Sequence, residues 1–433
     1  MRKYLAIVLS VIFILSFAVT AFAADKPEVT LGGKMLLRGW YFDNVSAITG
    51  SSNLPQEAAS NAMYSTNVFL TIDAKVAENV RGFMELETGA PTSGLYYWGN
   101  QDAKADGGNL LFRQAWIQYT GSGLLGVPAG IKAGHMLLTL SEKQFLNHER
   151  FGDDAILLTV EPTKELLIGL LTAKLSDGAL NEDNDDIDGY VLLGTYKINK
   201  DNTAGLNYTY VNRSGVSGVS DISLQNLGLH ANGDISGVKY AAEVDFQFGE
   251  QAAVDFGGYG ILAKLGYKVD LVNLRASFAM GSGDSDGIAD GKNKEFQALV
   301  GTDYGATARF PHYTQLYERA ISTAADYQTV TSAQRTTGIA NTTYYNLGLD
   351  VDPVKELSLS LDGYILRATK TASGVSKSVG SEVDLTASYK IAKNLSYFIQ
   401  AGVFSPGKYY TTSGLVTDKK TATMAVHGLS LTF

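Results

Sequence analysis

Apolar and polar residues alternate along most of the chain with a period of two, in segments bounded by Gly, Asn, Asp and Pro. In residues 240–248, for example, Tyr, Ala, Val, Phe and Phe alternate with Ala, Glu, Asp and Gln. Successive side chains of a β-strand point to opposite faces, whereas an α-helix repeats about every 3.6 residues. The pattern therefore predicts an all-β fold whose strands each have one apolar and one polar face.

Eighteen such segments can be placed along the sequence, and the connections between them alternate in length. An even number of strands joined by alternating short turns and long loops is typical of a bacterial outer-membrane barrel. We predict a transmembrane antiparallel up-and-down β-barrel of about 18 strands, with about 16 as the alternative. The predicted short turns are 77–79, 162–164, 199–201, 270–271, 353–356 and 392–394.

The last segment, residues 424–433, places Leu429, Leu431 and Phe433 on one face. In a closed barrel the last strand pairs with the first, one face meets lipid, and aromatic residues gather at the membrane interface. We therefore expect this segment to pair with residues around 29–41. The predicted aromatic girdle consists of Tyr41, Tyr267, Tyr389 and Phe433.

The first residues predict the compartment. Arg2 and Lys3 precede an apolar run from Leu5 to Val19, and Ala21-Phe22-Ala23 supplies a small-x-small cleavage site. This order is typical of a secretory signal peptide; an uncleaved helical anchor is the alternative, because the run is near spanning length. We predict a signal peptide over residues 1–23 with cleavage near Ala23, and a single barrel over residues 24–433. The expected location is the outer membrane of a Gram-negative bacterium.

The composition narrows the classes of partner. The sequence has 24 Tyr, 18 Phe and 46 Gly against 8 Pro, a balance typical of strands and tight turns. It has no Cys, and its net charge of −9 with dispersed lysines argues against nucleic acid as a partner. The expected partners are outer-membrane lipid, small hydrophilic solutes and, during folding, the barrel-assembly machinery. A homotrimer is a further expectation.

Charged residues are concentrated on the face opposite the apolar one, which in a barrel is the inner face. Both signs occur there in similar numbers, so we predict a wet pore with weak charge bias and many cross-strand pairs. Near residues 111–120, Arg113 and Gln114 compete for the inward position. The residues predicted to line the pore are Lys34, Arg38, Lys75, Arg81, Glu85, Glu243, Asp245, Lys264, Lys268, Arg275, Asp362, Glu382 and Asp384.

The connection 282–341 is by far the longest, too long for an idle loop in a compact fold. Folded into the barrel it would form a constriction, and outside the barrel it would form a cap. The residues predicted to face a solute in a constriction are Tyr304, Arg309 and Arg319.

Asp284, Asp286 and Asp290 have the oxygen-ligand spacing and neighbouring glycines of a calcium loop, without the distal Glu and flanking helices of an EF-hand. Weak structural Ca²⁺ binding and a solvated outer loop are the alternatives, and no other cofactor is predicted. No G-x-S-x-G elbow or phosphate-binding loop stands in a strand–helix setting, and no H-E-x-x-H occurs. We therefore predict that the chain is not an enzyme.

Seven short segments carry a resemblance to a known family. They are Leu111-Phe112-Arg113-Gln114-Ala115-Trp116-Ile117, Lys132 to His135, Asn147 to Ala155, Gly281 to Asp284, Gly380 to Leu385, Asn394-Leu395 and Phe404 to Gly407. These segments resemble the alginate-export family of outer-membrane barrels. The resemblance spans most of the mature chain and implies a barrel of about 18 strands. It also implies export of an anionic uronate polymer through an arginine-rich pore, with an Arg in the family where His135 stands here.

The predicted inner face is nearly charge-balanced rather than arginine-rich. We therefore predict an outer-membrane porin for passive diffusion of small hydrophilic solutes or ions. An alginate-export-like exporter of an anionic polysaccharide is the alternative, and an outer-membrane enzyme or adhesin is a third possibility.

Overall fold

A computed structural model describes residues 27–45, 60–89, 96–98, 109–123, 126–176, 186–213, 221–300, 313–321 and 338–433. Within these ranges, eighteen long strands join into a single antiparallel sheet in which sequence neighbours pair. They are β1 (Glu28–Asp43), β2 (Ser60–Ala77), β3 (Val80–Gly89), β4 (Asn109–Ser122), β5 (Pro128–Thr139), β6 (Leu146–Val160), β7 (Leu166–Ser176), β8 (Ile187–Lys197), β9 (Asn202–Arg213), β10 (Ile222–Ile235), β11 (Val238–Gln251), β12 (Tyr259–Val269), β13 (Val272–Gly281), β14 (Thr342–Val354), β15 (Leu357–Ala368), β16 (Ser378–Ala392), β17 (Leu395–Pro406) and β18 (Ala422–Thr432).

The connections between these strands contain shorter elements. Among the described residues, two are helices of one turn, α1 (Tyr317–Ala320) and α2 (Tyr409–Thr412). The short strands are Tyr96–Tyr97, Val254–Phe256, Lys292–Asn293 and Leu299–Val300. Across the described ranges, no helix is long and apolar enough to cross a membrane.

The sheet closes because β18 pairs with β1, from Lys34 opposite Thr432 to Asp43 opposite Thr423. The predicted barrel of eighteen strands and its closure by the last segment are therefore confirmed. The carboxyl end is held by two backbone hydrogen bonds between Gly33 and Phe433, of 2.9 and 3.1 Å. A Cβ atom at Gly33 would lie 2.5 Å from the Phe433 ring, so glycine makes room for this aromatic side chain.

Short turns gather at one end of the barrel, as the alternating connections predict. The predicted turns at 77–79, 162–164, 199–201, 270–271, 353–356 and 392–394 all separate consecutive strands. Two further short connections, between β4 and β5 and between β10 and β11, complete this end. Ser236 and Gly237 have φ angles of 55° and 86°, which a two-residue hairpin turn that matches the strand twist requires.

The two faces of the wall differ in exposure. In β14, Leu347 is 73% exposed, whereas the neighbouring Asn346 is 6% exposed. The outward residues form an apolar surface of the kind that faces lipid in outer-membrane barrels. The predicted girdle residues all belong to the exposed outer side, and their position at the membrane interface stays a prediction. They are Tyr41, Tyr267, Tyr389 and Phe433.

Buried apolar residues form a cluster inside the barrel, which the sequence pattern does not suggest. It includes wall residues such as Leu171 of β7 and Val191 of β8, together with Phe145 and Phe296 from the long connections. The last two rings lie 6.5 Å apart, edge to face. Parts of the connections are thus packed against the inner wall. The predicted signal peptide, residues 1–23, lies outside the described residues.

Candidate pore constriction

The charged residues predicted to line the pore all lie on the inner face of their strands, opposite the exposed apolar residues. Several of them form ion pairs. Arg275 bridges Asp350 and Asp362, with nitrogen–oxygen distances of 2.9 Å to each. Arg81 donates to Asp73 from Nε at 2.7 Å, on the rim that carries the short turns. Part of the half-exposed wall therefore carries paired charges of opposite sign.

Arg113 and Gln114 do not compete for the inward position, because a β-bulge places both inside. Glu85 pairs with Gln114 while the next residue, Leu86, pairs with Phe112, which leaves Arg113 as the extra residue. Its Nη1 lies 2.6 Å from Glu85 Oε2, and Gln114 Nε2 lies 2.8 Å from the same oxygen. A bulge adds one residue to one strand and so interrupts the period of two.

The turn between β5 and β6 is the first segment that folds inward. Sequence reasoning assigns residues 139–154 to an outer loop, and the structure corrects this. Ser141 Oγ lies 2.8 Å from His230 Nδ1 and accepts a hydrogen bond of 2.7 Å from Asn207 Nδ2. The backbone N–H of Glu142 donates to Glu243 Oε2 at 2.7 Å. These partners lie on β9, β10 and β11, so the turn reaches across the inner wall.

The segment 313–321 is the second segment that folds inward. Gln315 N–H donates to Asp384 at 2.9 Å, while the N–H groups of Leu316 and Tyr317 donate to the two oxygens of Glu382 at 2.6 and 2.9 Å. The first turn of a helix leaves backbone N–H groups without intrahelical partners, and carboxylates satisfy them well. The wall carboxylates of β16 therefore anchor the start of α1.

The inward segments also contact each other. The Tyr313 hydroxyl donates to Gln144 Oε1 in the β5–β6 turn, and its ring stacks on Tyr344 with centroids 4.4 Å apart. Residues 292–300 add a third segment: Leu299 pairs in parallel with Leu146, and Gln297 exchanges two hydrogen bonds of 2.7 Å with Gln247 of β11. Together these segments narrow the interior.

This arrangement changes the meaning of some predicted residues. Glu243, Asp245, Glu382 and Asp384 are only 1, 0, 1 and 4% exposed, because the inward segments cover them. They lie on the inner wall, yet a solute cannot reach them while those segments are in place. The predicted residues Tyr304 and Arg309 lie outside the described ranges. Arg319 belongs to α1, and its side chain is likewise outside what the structure describes.

The predicted calcium loop is held by internal hydrogen bonds. Asp284 accepts from the N–H groups of Lys294 at 2.9 Å and Asp286 at 3.3 Å. Burial raises the pKa of Asp284, but these donors outweigh it and the net direction is downward. The Lys294 ammonium lowers the pKa of Asp290, and a side-chain hydrogen bond to Asp284 raises that of Asp286. Among the described residues no group of three or more His, Asp or Glu side chains is placed to hold a metal, so this arrangement lends the calcium prediction no support.

Comparison with known families decides the assignment, because the alginate export family matches residues 55–422, most of the chain. The chain belongs to the alginate export family. No curated protein sequence matches it.

Several solved outer-membrane proteins of Pseudomonas aeruginosa have the same fold as this chain. OccK11 (OpdR) is 13% identical, with a TM-score of 0.55 over 93% of this chain and 96% of that one. The outer membrane protein OprD is 12% identical, with a TM-score of 0.54 over 96% of this chain and 98% of that one. OpdK is 11% identical, with a TM-score of 0.54 over 93% and 99%. At these identities the likeness concerns the fold.

His135, at the position where the resemblance implies an Arg, lies away from the pore. His135 pairs in register with Ala115 and Asp154, on the face of β4 that carries the exposed Ile117. Its Nδ1 lies 3.0 Å from Asp154 Oδ1. Lys174, which the sequence pattern places inside, follows in the same row and is also outward. The His at position 135 therefore does not affect the charge of the inner wall.

Proposed function

We propose that the chain forms a passive channel for small hydrophilic solutes in the outer membrane of a Gram-negative bacterium. The observation that carries this proposal is the division of the wall into an apolar outer face and an inner face of half-exposed, oppositely charged pairs. Exposed charges are costly against lipid and natural in a water-filled passage. The fold likeness to the outer membrane protein OprD supports a barrel placed in the outer membrane.

The inward segments support a narrowed passage. Lys264 Nζ lies 3.3 Å from Glu142 Oε2 where the β5–β6 turn meets β12, and Lys143 pairs with Glu149 beside it. Both of these cations thus have a carboxylate partner. Such pairing leaves a weak net field, and we therefore propose modest selectivity between cations and anions.

Planar-bilayer recording of the purified barrel tests the proposal. We expect stepwise conductance without an energy source, and a small reversal potential in a salt gradient. Deletion of residues 305–335 is expected to raise the single-channel conductance, and an unchanged value would remove the constriction from the proposal. A sealed barrel with no conductance would overturn the channel itself.

Export of an anionic polysaccharide is the second candidate, and membership of the alginate export family favours it. The paired inner charges favour the first candidate, because a polyanion would be drawn by unpaired cations. Addition of anionic oligosaccharides to one side of the bilayer separates the two. Block at low concentration by one such oligomer, with none by a neutral oligomer of equal size, would favour the exporter.

The remaining expectations belong to the same proposal. We propose that the barrel has no catalytic role, that it folds with the barrel-assembly machinery, and that it can associate as a homotrimer. The expected structural Ca²⁺ at Asp284, Asp286 and Asp290 is kept only as a weak outer-loop site.

A further inference from the structure

A continuous row of five aromatic rings runs from the connection after β17 into the lumen. Tyr410 of α2 lies edge to face against Phe404 of β17, with ring centroids 6.1 Å apart. Phe404 stacks on Tyr317 of α1 at 5.6 Å, and Tyr317 meets Tyr344 of β14 edge to face at 6.1 Å. The last ring is Tyr313, which stacks on Tyr344 at 4.4 Å. This aromatic row therefore connects the end of the barrel opposite the short turns with the segment 313–321 that narrows the lumen.

The β17–β18 loop, residues 407–421, is seated by two of its side chains. Tyr409 and Tyr410 are only 6 and 2% exposed, whereas residues 411–421 are exposed or half-exposed. The Ser376 N–H donates to Thr412 Oγ1 at 2.8 Å, which adds a tie to the neighbouring connection. Segments with few buried contacts open more readily than the strands that carry them. The loop is thus a surface segment whose attachment depends on its buried rings.

The seat of Tyr410 is imperfect. Its hydroxyl oxygen is buried and has no hydrogen-bond partner within the described ranges. A buried hydroxyl that has lost water and gained no partner lowers the stability of the arrangement that buries it. A phenylalanine ring would make the same ring contact without this cost. The seated loop is therefore less stable than the ring contact alone would make it, so a small perturbation can unseat it.

The aromatic row holds a different side of segment 313–321 from the carboxylates of β16. The backbone N–H groups of Leu316 and Tyr317 bind Glu382, while the Tyr317 ring packs on Phe404. Loss of Tyr410 from the row uncovers Phe404, which is otherwise fully buried, and removes support from the Tyr317 ring. The carboxylate anchor stays in place. Unseating the loop is therefore expected to loosen the segment rather than to detach it.

We propose that the β17–β18 loop is a latch for the constriction. When the loop is seated, Tyr410 completes the aromatic row and holds segment 313–321 in its narrow position. When the loop lifts, the row loses its outermost ring and the passage widens. Packed side chains with two discrete arrangements carry coupling of this kind between distant positions. The conductance change rests on the proposed channel function, whereas the coupling between loop and segment does not.

Planar-bilayer recording of the full-length barrel tests the latch with two substitutions of opposite expected sign. Tyr410→Phe keeps the ring and removes the orphaned hydroxyl, so transitions to the wider state should become about fivefold rarer. Tyr410→Ala removes the ring, so these transitions should become roughly tenfold more frequent or the wider state permanent. Leu415→Ala is the matched control, because it truncates an apolar side chain of the same loop that is 43% exposed, and it should open as the wild type does.

Hydrogen exchange supplies a readout that does not need conductance. In Tyr410→Ala, the amide protection of residues 316–321 should fall, while that of Glu142 in the β5–β6 turn stays unchanged. A wild-type barrel that does not conduct would overturn the channel, and the exchange data would still decide on the latch.

Three outcomes would overturn the latch itself. Wild-type protection of residues 316–321 in Tyr410→Ala would show that the loop and the segment are not coupled. Equal gating of Tyr410→Ala, Leu415→Ala and the wild type would show that the loop does not control the passage. Openings in Tyr410→Phe as frequent as in the wild type would remove the hydroxyl as the weak point of the seat. If Tyr410→Ala does not fold, as judged by heat-modifiable gel migration, Tyr410→Phe decides.

Discussion

Two acid pairs of the inner wall share the same Glu-x-Asp spacing and nearly the same burial, yet the structure uses them differently. Glu382 and Asp384 on β16 accept three backbone N–H groups from the start of α1. Glu243 and Asp245 on β11 accept only one backbone N–H and one side-chain amide. Among the described residues, Glu243, Asp245 and Asp384 each keep one buried oxygen without a hydrogen-bond partner. The role of a wall carboxylate in this barrel is thus decided by the segment that folds over it.

The difference has a simple physical origin. The segment 315–317 presents consecutive backbone N–H groups at the start of a helical turn, and these solvate a carboxylate as an anion site does. The β5–β6 turn presents only the Glu142 N–H to the β11 pair. The first pair therefore anchors its segment through three backbone N–H groups, whereas the second holds its turn through one.

Of the substitutions that test this comparison, Glu382→Ala should have the largest effect on the conductance. It removes the acceptor of two backbone N–H groups and weakens the anchor of 313–321 by about 2–3 kcal/mol. The segment is expected to leave the wall, so that the mean single-channel conductance and its noise both increase. Val383→Ala, on the outer face of the same strand, is the control and should conduct as the wild type does. Equal conductance in all three proteins would show that 313–321 does not limit the pore.

Glu243→Ala should have a smaller structural effect, because only one backbone N–H loses its acceptor, at about 1–2 kcal/mol. Hydrogen exchange at the Glu142 amide is expected to accelerate roughly tenfold or more, while exchange in α1 stays unchanged. Glu149→Ala, which breaks a half-exposed pair with Lys143, serves as the control. Unchanged exchange at Glu142 would mean that the turn is held by other contacts.

Arg275→Gln tests a third arrangement, in which a cation of the chain itself balances two acids. Its removal leaves Asp350 and Asp362 uncompensated in a half-exposed part of the lumen. The reversal potential in a salt gradient should shift toward cation selectivity, with little change in conductance. Lys200→Gln, the same loss of charge in an exposed short turn, should leave the reversal potential unchanged. A shift of equal size in both variants would contradict a local effect.

The barrel itself could be predicted from the sequence because each strand has one face toward lipid and one toward the interior, which imposes a period of two. The structure inside the barrel could not be predicted in this way. The bulge at Arg113 shifts that period by one residue, so the sequence pattern allows only one of Arg113 and Gln114 on the inner face, whereas the structure places both there. In β7 both faces are apolar around Leu171, because the inner one supports packed connections, and Lys174 was therefore placed on the wrong face.

The inward turn shows a further limit. The contact between Glu142 and Glu243 joins residues 101 positions apart, and such long-range contacts leave no local periodicity. A weak signal did exist, since the polar residues Ser141 to Gln144 lie between apolar residues on both sides. An outer loop has little need for those apolar flanks. Only the pairing of β9, β10 and β11 places Asn207, His230 and Glu243 beside the same turn.

The smallest effect is expected in the outer loop, where carboxylates are solvated and held by the loop itself. The Lys294 ammonium lowers the pKa of Asp290, so the stability that this pair adds is present above the ordinary value of 3.8 and lost as pH falls through the lower folded value. In the wild type, the protection of the amides of residues 284–294 against hydrogen exchange, relative to the intrinsic rate at each pH, should therefore fall below about pH 4. Asp290→Asn should exchange faster already at neutral pH and show a weaker pH dependence, with Asp255→Asn as the control. The same acid-induced acceleration in Asp290→Asn would assign the effect to Asp284, whose pKa is also lowered, rather than to the Asp290–Lys294 pair.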